Sequence, residues 1–130
     1  MRVTYLDSSA VVKLAVAEPE SAALRQYLRR RQGLVSSALA RTEVLRALLP
    51  AGEEAMAQGR AVLRTLDLIR VSDRVFEAAG TLQPVEVRSL DAIHLATAQL
   101  LGADLRQVVT YDRQMAEAAE VLGLKASSPT

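Results

Sequence analysis

Short apolar runs alternate with helix-patterned segments along the whole chain, and each run ends on a residue able to cap the helix after it. Val3 to Leu6 is followed by Asp7, Ser8 and Ser9, then by an Ala10 to Ala15 segment that should stop before Pro19. A second helix is expected from about Ser21, with Leu24, Tyr27 and Leu28 on one face, ending near Gly33 after Arg29, Arg30 and Arg31. Leu34 to Ser36 reads as the next strand. Helical periodicity resumes from Ser37 to Leu49, breaks at Pro50, Ala51 and Gly52, and returns over about Glu53 to Leu66. A third strand is predicted over Leu68 to Val71, then a short helix capped by Ser72 or Asp73 and ended by Gly80. Ser89 is the expected cap of a helix from Leu90 to Leu101, Gln107 to Thr110 the fourth strand, Arg113 to Leu122 the last helix, and Leu124 to Ala126 an edge strand. Parallel neighbours need crossover connections, so this order predicts an α/β fold with a parallel sheet and helices on both faces.

Composition narrows the classes of function. With 130 residues, half of them hydrophobic, the chain has enough apolar surface for one core, and one domain over residues 1–130 is expected. Sixteen Lys and Arg against fifteen Asp and Glu leave a formal charge of +1, so bulk charge cannot grip nucleic acid and any phosphate affinity must be local. The absence of cysteine excludes a disulfide framework and thiolate metal ligation. No signal-peptide pattern and no apolar run of about 18 residues is found, which predicts a cytoplasmic protein without a membrane span. Aromatic residues are 3% of the chain, too few for a platform on which bases stack.

Four acids stand out from this frame. Asp7 and Asp112 each fall just past a strand, where ligands bind in open parallel sheets. Each is also explained by capping alone, worth roughly 0.3 to 1 kcal/mol against a helix dipole. Asp91 opens a nearly all-apolar helix, Ala92 to Ala98, and an acid on an inward-packing helix is costly. Glu43 has Leu39, Ala40 and Ala47 at three- and four-residue spacing, which suggests a close-packed face, although Arg46 could pair with it in water. Two carboxylates 4 Å apart repel by roughly 4 kcal/mol at an effective dielectric of 20, so a convergent quartet needs protonation or a cation. Hard oxygen ligands favour Mg²⁺ or Mn²⁺. Ser8 and Thr110 flank the acids and could orient carboxylates or water, as well as make ordinary turn bonds. His94 is the only histidine; on an apolar helix it reads as a packed, hydrogen-bonded core residue, and it is left outside the catalytic set. Arg29 to Arg31 read first as a solvated helix end complementing the dipole, with RNA-backbone contact as the lesser reading.

The segments Tyr5 to Lys13, Ser36 to Ala47, Leu90 to Ala98 and Val109 to Asp112, in this order, resemble a PIN domain, in particular the VapC-type ribonuclease toxins of toxin-antitoxin pairs. The resemblance covers essentially the whole chain. It implies a three-layer α/β/α sandwich around a mainly parallel four- to five-stranded sheet, and a metal-dependent endoribonuclease with Asp7, Glu43, Asp91 and Asp112 as catalytic and metal-holding acids. It further implies a homodimer, neutralisation by a small cognate antitoxin in a hetero-oligomer, and products with 5′-phosphate and 3′-hydroxyl ends. Two rival readings remain at this point. A receiver-like or dehalogenase-like phosphotransfer domain also places acids at strand ends, but Ser9 stands where a second aspartate would be expected. A catalytically silent PIN-like binding module would keep the acids as caps.

Overall fold

In the computed structural model, which describes residues 2–130, β1 (Val3–Leu6) is the centre of a five-stranded, all-parallel sheet. Its neighbours are β2 (Leu34–Ser37) on one side and β4 (Leu105–Val109) on the other, with β3 (Asp67–Ile69) and β5 (Ala126–Ser127) at the two edges. The helices are α1 (Ser8–Ala15), α2 (Ser21–Leu28), α3 (Ala40–Leu48), α4 (Glu53–Arg64), α5 (Asp73–Gly80), α6 (Ser89–Leu100) and α7 (Arg113–Val121). Short 3₁₀ turns follow α3 and α6.

Period-two alternation along the strands makes the two cores. Leu6 and Val109 point to the face covered by α1 to α4, among Val11, Leu24, Val44, Leu48 and Leu63. Tyr5 and Val108 point to the opposite face, against Leu95, Ala98, Met115 and Ala119 of α6 and α7. A sheet buried on both sides is what near-continuous apolar strands require. In α4, Gly59 lets α3 approach closely: a Cβ there would stand 2.6 Å from Leu48 Cδ1.

Side-chain capping marks three of the seven helix starts. Asp7 caps α1 through Ala10 N (3.1 Å), Ser72 caps α5 through Val75 N (3.2 Å), and Asp112 caps α7 through Met115 N (3.2 Å). Several expected boundaries shift: α2 ends at Leu28 rather than near Gly33, α3 starts at Ala40 rather than Ser37, and β4 is Leu105–Val109 rather than Gln107 to Thr110. Ser89 is not the cap of α6: Arg88 occupies that position without a side-chain bond and Ser89 is already helical, because the extended backbone ends one residue earlier. The third strand is Asp67–Ile69 rather than Leu68 to Val71, since pairing to β2 ends at the Ser37–Ile69 position. The last strand lies at Ala126–Ser127 rather than Leu124 to Ala126, where Val108 and Val109 offer partners.

The strand order 3-2-1-4-5 reverses direction at β1: the chain builds outward to β3, then returns to add β4 on the other flank. The crevice beyond the carboxyl ends of β1 and β4 is therefore the topological switch point, where open α/β sheets bind ligands.

Candidate active site at the carboxyl ends of β1 and β4

Asp7 leaves β1 directly into this crevice and is 4% exposed. Its Oδ1 accepts hydrogen bonds from Ser9 Oγ (2.6 Å) and Ala10 N, and its Oδ2 from Thr110 Oγ1 (2.6 Å). Burial pushes the Asp7 carboxyl up from its ordinary range, and the Ser9 and Thr110 hydrogen bonds only partly offset it. Thr110 also accepts from Asp112 N (3.0 Å), and Ser9 Oγ accepts from Tyr111 N (2.9 Å), so two hydroxyls lock the end of β4 onto the start of α1.

Asp91 sits in the first turn of α6, half-buried, and its carboxylate has no hydrogen bond among the described residues. Its carboxyl is raised by burial first and then by the charge of Asp112, with a smaller push from Asp7, against the pull of His94 and, more weakly, of Arg88. Asp7, Asp91 and Asp112, from the end of β1, from α6 and from beyond β4, lie near enough for the charges of the other two to bear on Asp91. Asp112 is oriented by its capping bond, while its Oδ2 is 4.0 Å from Arg88 Nη2.

Glu43, from α3, meets this group through a histidine. Its Oε1 accepts from Ser8 Oγ (2.5 Å) and lies 2.6 Å from His94 Nε2, while His94 Nδ1 lies 2.6 Å from the Tyr5 hydroxyl. An ionised carboxylate has no proton to give, so Nε2 carries the hydrogen and, in the neutral ring, Nδ1 accepts from Tyr5. Burial, with the charges of Asp7 and Glu43, raises the Tyr5 hydroxyl far above its ordinary range, which keeps that proton on the tyrosine. Burial works to raise the Glu43 carboxyl, but the His94 and Ser8 hydrogen bonds with the field of His94 outweigh it and hold it below its ordinary range. Glu43 Oε2 has no bond among the described residues.

His94 is thus a buried core residue, as its apolar helix predicts, and also the link between Glu43 and β1. Sequence reasoning did not reach that second role. The three-residue step from Asp91 to His94 was visible; Tyr5, 89 residues away, was not a readable partner. Arg46 makes no ion pair with Glu43 among the described residues, and Ala47, expected on its packed face, is exposed.

The donors suit a hard divalent cation in kind, since all four are carboxylates. Among the described residues, however, no three His, Cys, Asp or Glu side chains already stand around one point as metal ligands. Asp7 is held by three hydrogen bonds, whereas Asp91 and the outer oxygens of Glu43 and Asp112 are not. A cavity of about 260 Å³ between α6 and α7 touches the quartet only at Asp91.

Residues 4–121 match the PIN domain family. The chain belongs to the PIN-domain family. Over its full length it is 60% identical to the full length of ribonuclease VapC46 of Mycobacterium tuberculosis, and over 96% of both chains it is 41% identical to ribonuclease VapC35 of the same species. Those identities place this PIN domain among the VapC ribonucleases. In fold it resembles the crystal structure of M. tuberculosis VapC20, described as a sarcin-ricin-loop-cleaving toxin (TM-score 0.78, 15% identity, 97% and 99% of the two chains). It likewise resembles a toxin-antitoxin complex from Klebsiella pneumoniae (TM-score 0.74, 23% identity, 98% of each chain).

Proposed function

We propose that this PIN domain is a Mg²⁺- or Mn²⁺-dependent endoribonuclease, the toxin of a VapBC-type pair, with Asp7, Glu43, Asp91 and Asp112 as its catalytic and metal-holding residues. The observation that carries the reading is the placement of Asp7 and Asp112 at the carboxyl ends of β1 and β4, tied together through Thr110, with Asp91 on α6 and Glu43 on α3, because carboxylates gathered at a switch-point crevice are stabilised by a cation. Full-length identity of 60% to a ribonuclease supports the RNA substrate.

When bound, a divalent cation supplies Lewis acidity toward a phosphate oxygen and lowers the pKa of water. The chain supplies the rest. Asp7, fixed by Ser9, Ala10 and Thr110, is the rigid member of the set, and Asp91 and Asp112 are the adjustable ones. Ser8 and His94 both bond Oε1 of Glu43, which leaves Oε2 without a hydrogen bond among the described residues. Thr110 orients Asp7 and steadies the turn into Asp112. Attack of water on phosphorus with breakage of the P–O3′ bond, the 3′-oxygen leaving and taking up a proton, gives 5′-phosphate and 3′-hydroxyl ends.

We also assign to this reading one catalytic domain over residues 1–130, a homodimer, a small antitoxin that lays a segment beside Glu43 with a basic residue in the crevice, and a cytoplasmic location. No helix among the described residues is long and apolar enough to cross a membrane. The test is incubation of the antitoxin-free protein with structured RNAs in Mg²⁺, Mn²⁺ or EDTA, with Asp7→Asn in parallel and the fragment ends mapped. Cleavage that needs both metal and Asp7 is the expected result. Metal-independent cleavage, or full activity of purified Asp7→Asn, would refute the assignment.

A further inference from the structure

The opposite end of the sheet carries a second charged feature that the acidic crevice does not use. At the amino ends of the strands, Arg2 precedes β1, Arg30, Arg31 and Gln32 precede β2, and Arg106 lies at the start of β4. These five residues line one concavity of about 430 Å³ with no acidic residue among them. None of its four arginines forms an ion pair among the described residues. The helix-end explanation covers Arg30 and Arg31, which follow α2, but not Arg2 or Arg106, which come from two strands.

Two of the guanidinium groups are held in place. Arg2 Nη2 donates to Leu105 O (3.0 Å). Arg31 Nη1 donates to Tyr27 O (2.5 Å), and its guanidinium lies over the Tyr27 ring at 3.8 Å, so the planar fork is fixed by stacking. Arg31 Nε is buried and has no hydrogen-bond partner among the described residues. Unneutralised, preorganised guanidinium forks are the standard chemistry for phosphoryl oxygens.

We propose that this arginine cluster is a second contact for the RNA backbone, distinct from the acidic crevice. The proposal rests on the endoribonuclease reading for the identity of the polyanion. With a net charge of only +1 and acids gathered at the cleavage end, attraction for phosphate has to come from a local cationic site such as this one. Five residue steps separate Arg2 from Asp7, about 16 Å of strand at roughly 3.3 Å each. Only an RNA that extends well beyond the scissile linkage reaches both ends.

The experiment compares Arg2→Gln/Arg30→Gln/Arg106→Gln with a control in which Arg60→Gln/Arg64→Gln/Arg74→Gln removes the same charge elsewhere; each set moves the formal charge from +1 to −2. Arg31 is left intact because of its packing on Tyr27. Affinity for a long fluorescent RNA is measured against salt in an Asp7→Asn background, so that cleavage does not interfere and RNA binding is read independently of activity. The cluster variant should bind at least tenfold more weakly, and its log K against log salt slope should be shallower by about 2, from roughly 0.7 per lost single-strand contact. In the Asp7 parent, KM for long RNA should rise with kcat unchanged, and cleavage of a short oligonucleotide should be unaffected. Equal losses in the control set, or unchanged affinity and slope in the cluster variant, overturn the proposal while leaving the nuclease reading standing. Inorganic phosphate serves as the competing probe: if it fills the cluster without displacing RNA, the site is one for free phosphate and the RNA assignment is wrong. If no RNA is cleaved under any condition but the cluster variant still loses RNA binding, the nuclease reading fails and the contact stands.

Discussion

The two ends of the sheet solve the problem of charge in opposite ways. At the carboxyl end, acids are drawn into the protein and constrained: Asp7 is buried under three hydrogen bonds, and Glu43 is held by Ser8 and by a histidine that is itself held by Tyr5. At the amino end, Arg2, Arg30 and Arg106 stay exposed, and constraint comes from backbone carbonyls and one aromatic ring. Burying carboxylates near one another costs stability and makes geometry; leaving guanidinium groups in water costs little and makes a field. The acid end therefore behaves as a place where chemistry is fixed, and the basic end as a place where a ligand is attracted.

The largest test of that contrast is catalytic. Asp7→Asn and Asp91→Asn should each lower RNA cleavage by at least about a hundredfold, on the scale of losing a preorganised charge at a reacting centre, with native circular dichroism retained. Replacing the three exposed arginines should leave short-oligonucleotide turnover within about twofold.

Next in size is the histidine link. His94→Ala empties a buried site, strands the Tyr5 hydroxyl and leaves Glu43 Oε1 with Ser8 alone, so a urea melt should show a loss of about 2–4 kcal/mol. Tyr5→Phe, which removes only the hydroxyl, should cost about 1–2 kcal/mol. If His94→Ala melted with the parent, the chain from Tyr5 to Glu43 would not be holding the acid end together.

The third test turns on sign. Asp7 and Asp91 have folded-state pKa values raised above their ordinary 3.8, so each ionised acid works against folding at neutral pH, and that cost is relieved as pH falls through the raised value toward 3.8. Asp7→Asn should thus raise Tm by roughly 2–5 °C at pH 7, and the gap from the parent should narrow as pH approaches 4. Glu43, held below its ordinary 4.5, does the reverse: its contribution is present above 4.5 and is lost as pH falls through the lowered value. A gap that widens on acidification would contradict the burial account of Asp7. The smallest effect is expected at the other end, where Arg30→Gln and Arg106→Gln should change stability by no more than about 0.5 kcal/mol in a thermal melt.

The fold was legible because local signals and global arrangement agree. Asp7, Ser72 and Asp112 each end an extended segment and cap the helix that follows, so strand and helix boundaries appear in the residues themselves. Where the cap is a residue with no capping side chain, as at Arg88, the boundary could not be read. The placement of Asp7 and Asp112 was legible for the same reason, since both fall just past central parallel strands, whereas Glu43 and Asp91 lie in the first turns of α3 and α6. What escaped was whatever depends on distant partners. His94 on an apolar helix looks the same whether it is bonded to a backbone carbonyl or to Tyr5 and Glu43. Arg2 and Arg106 lie a hundred positions apart and meet only because β1 and β4 are neighbours. Composition could say that phosphate affinity must be local, but not where.

That pairing also has a consequence for synthesis. β1 emerges first from the ribosome, yet one of its two flanking strands, β4, is made a hundred residues later, and Thr110 and Asp112 after that. Long-range parallel pairing closes late. A nascent chain that has not released β4 carries Asp7 without Thr110 beside it, so the ribosome must pass Asp112 before an assembled acid crevice can exist.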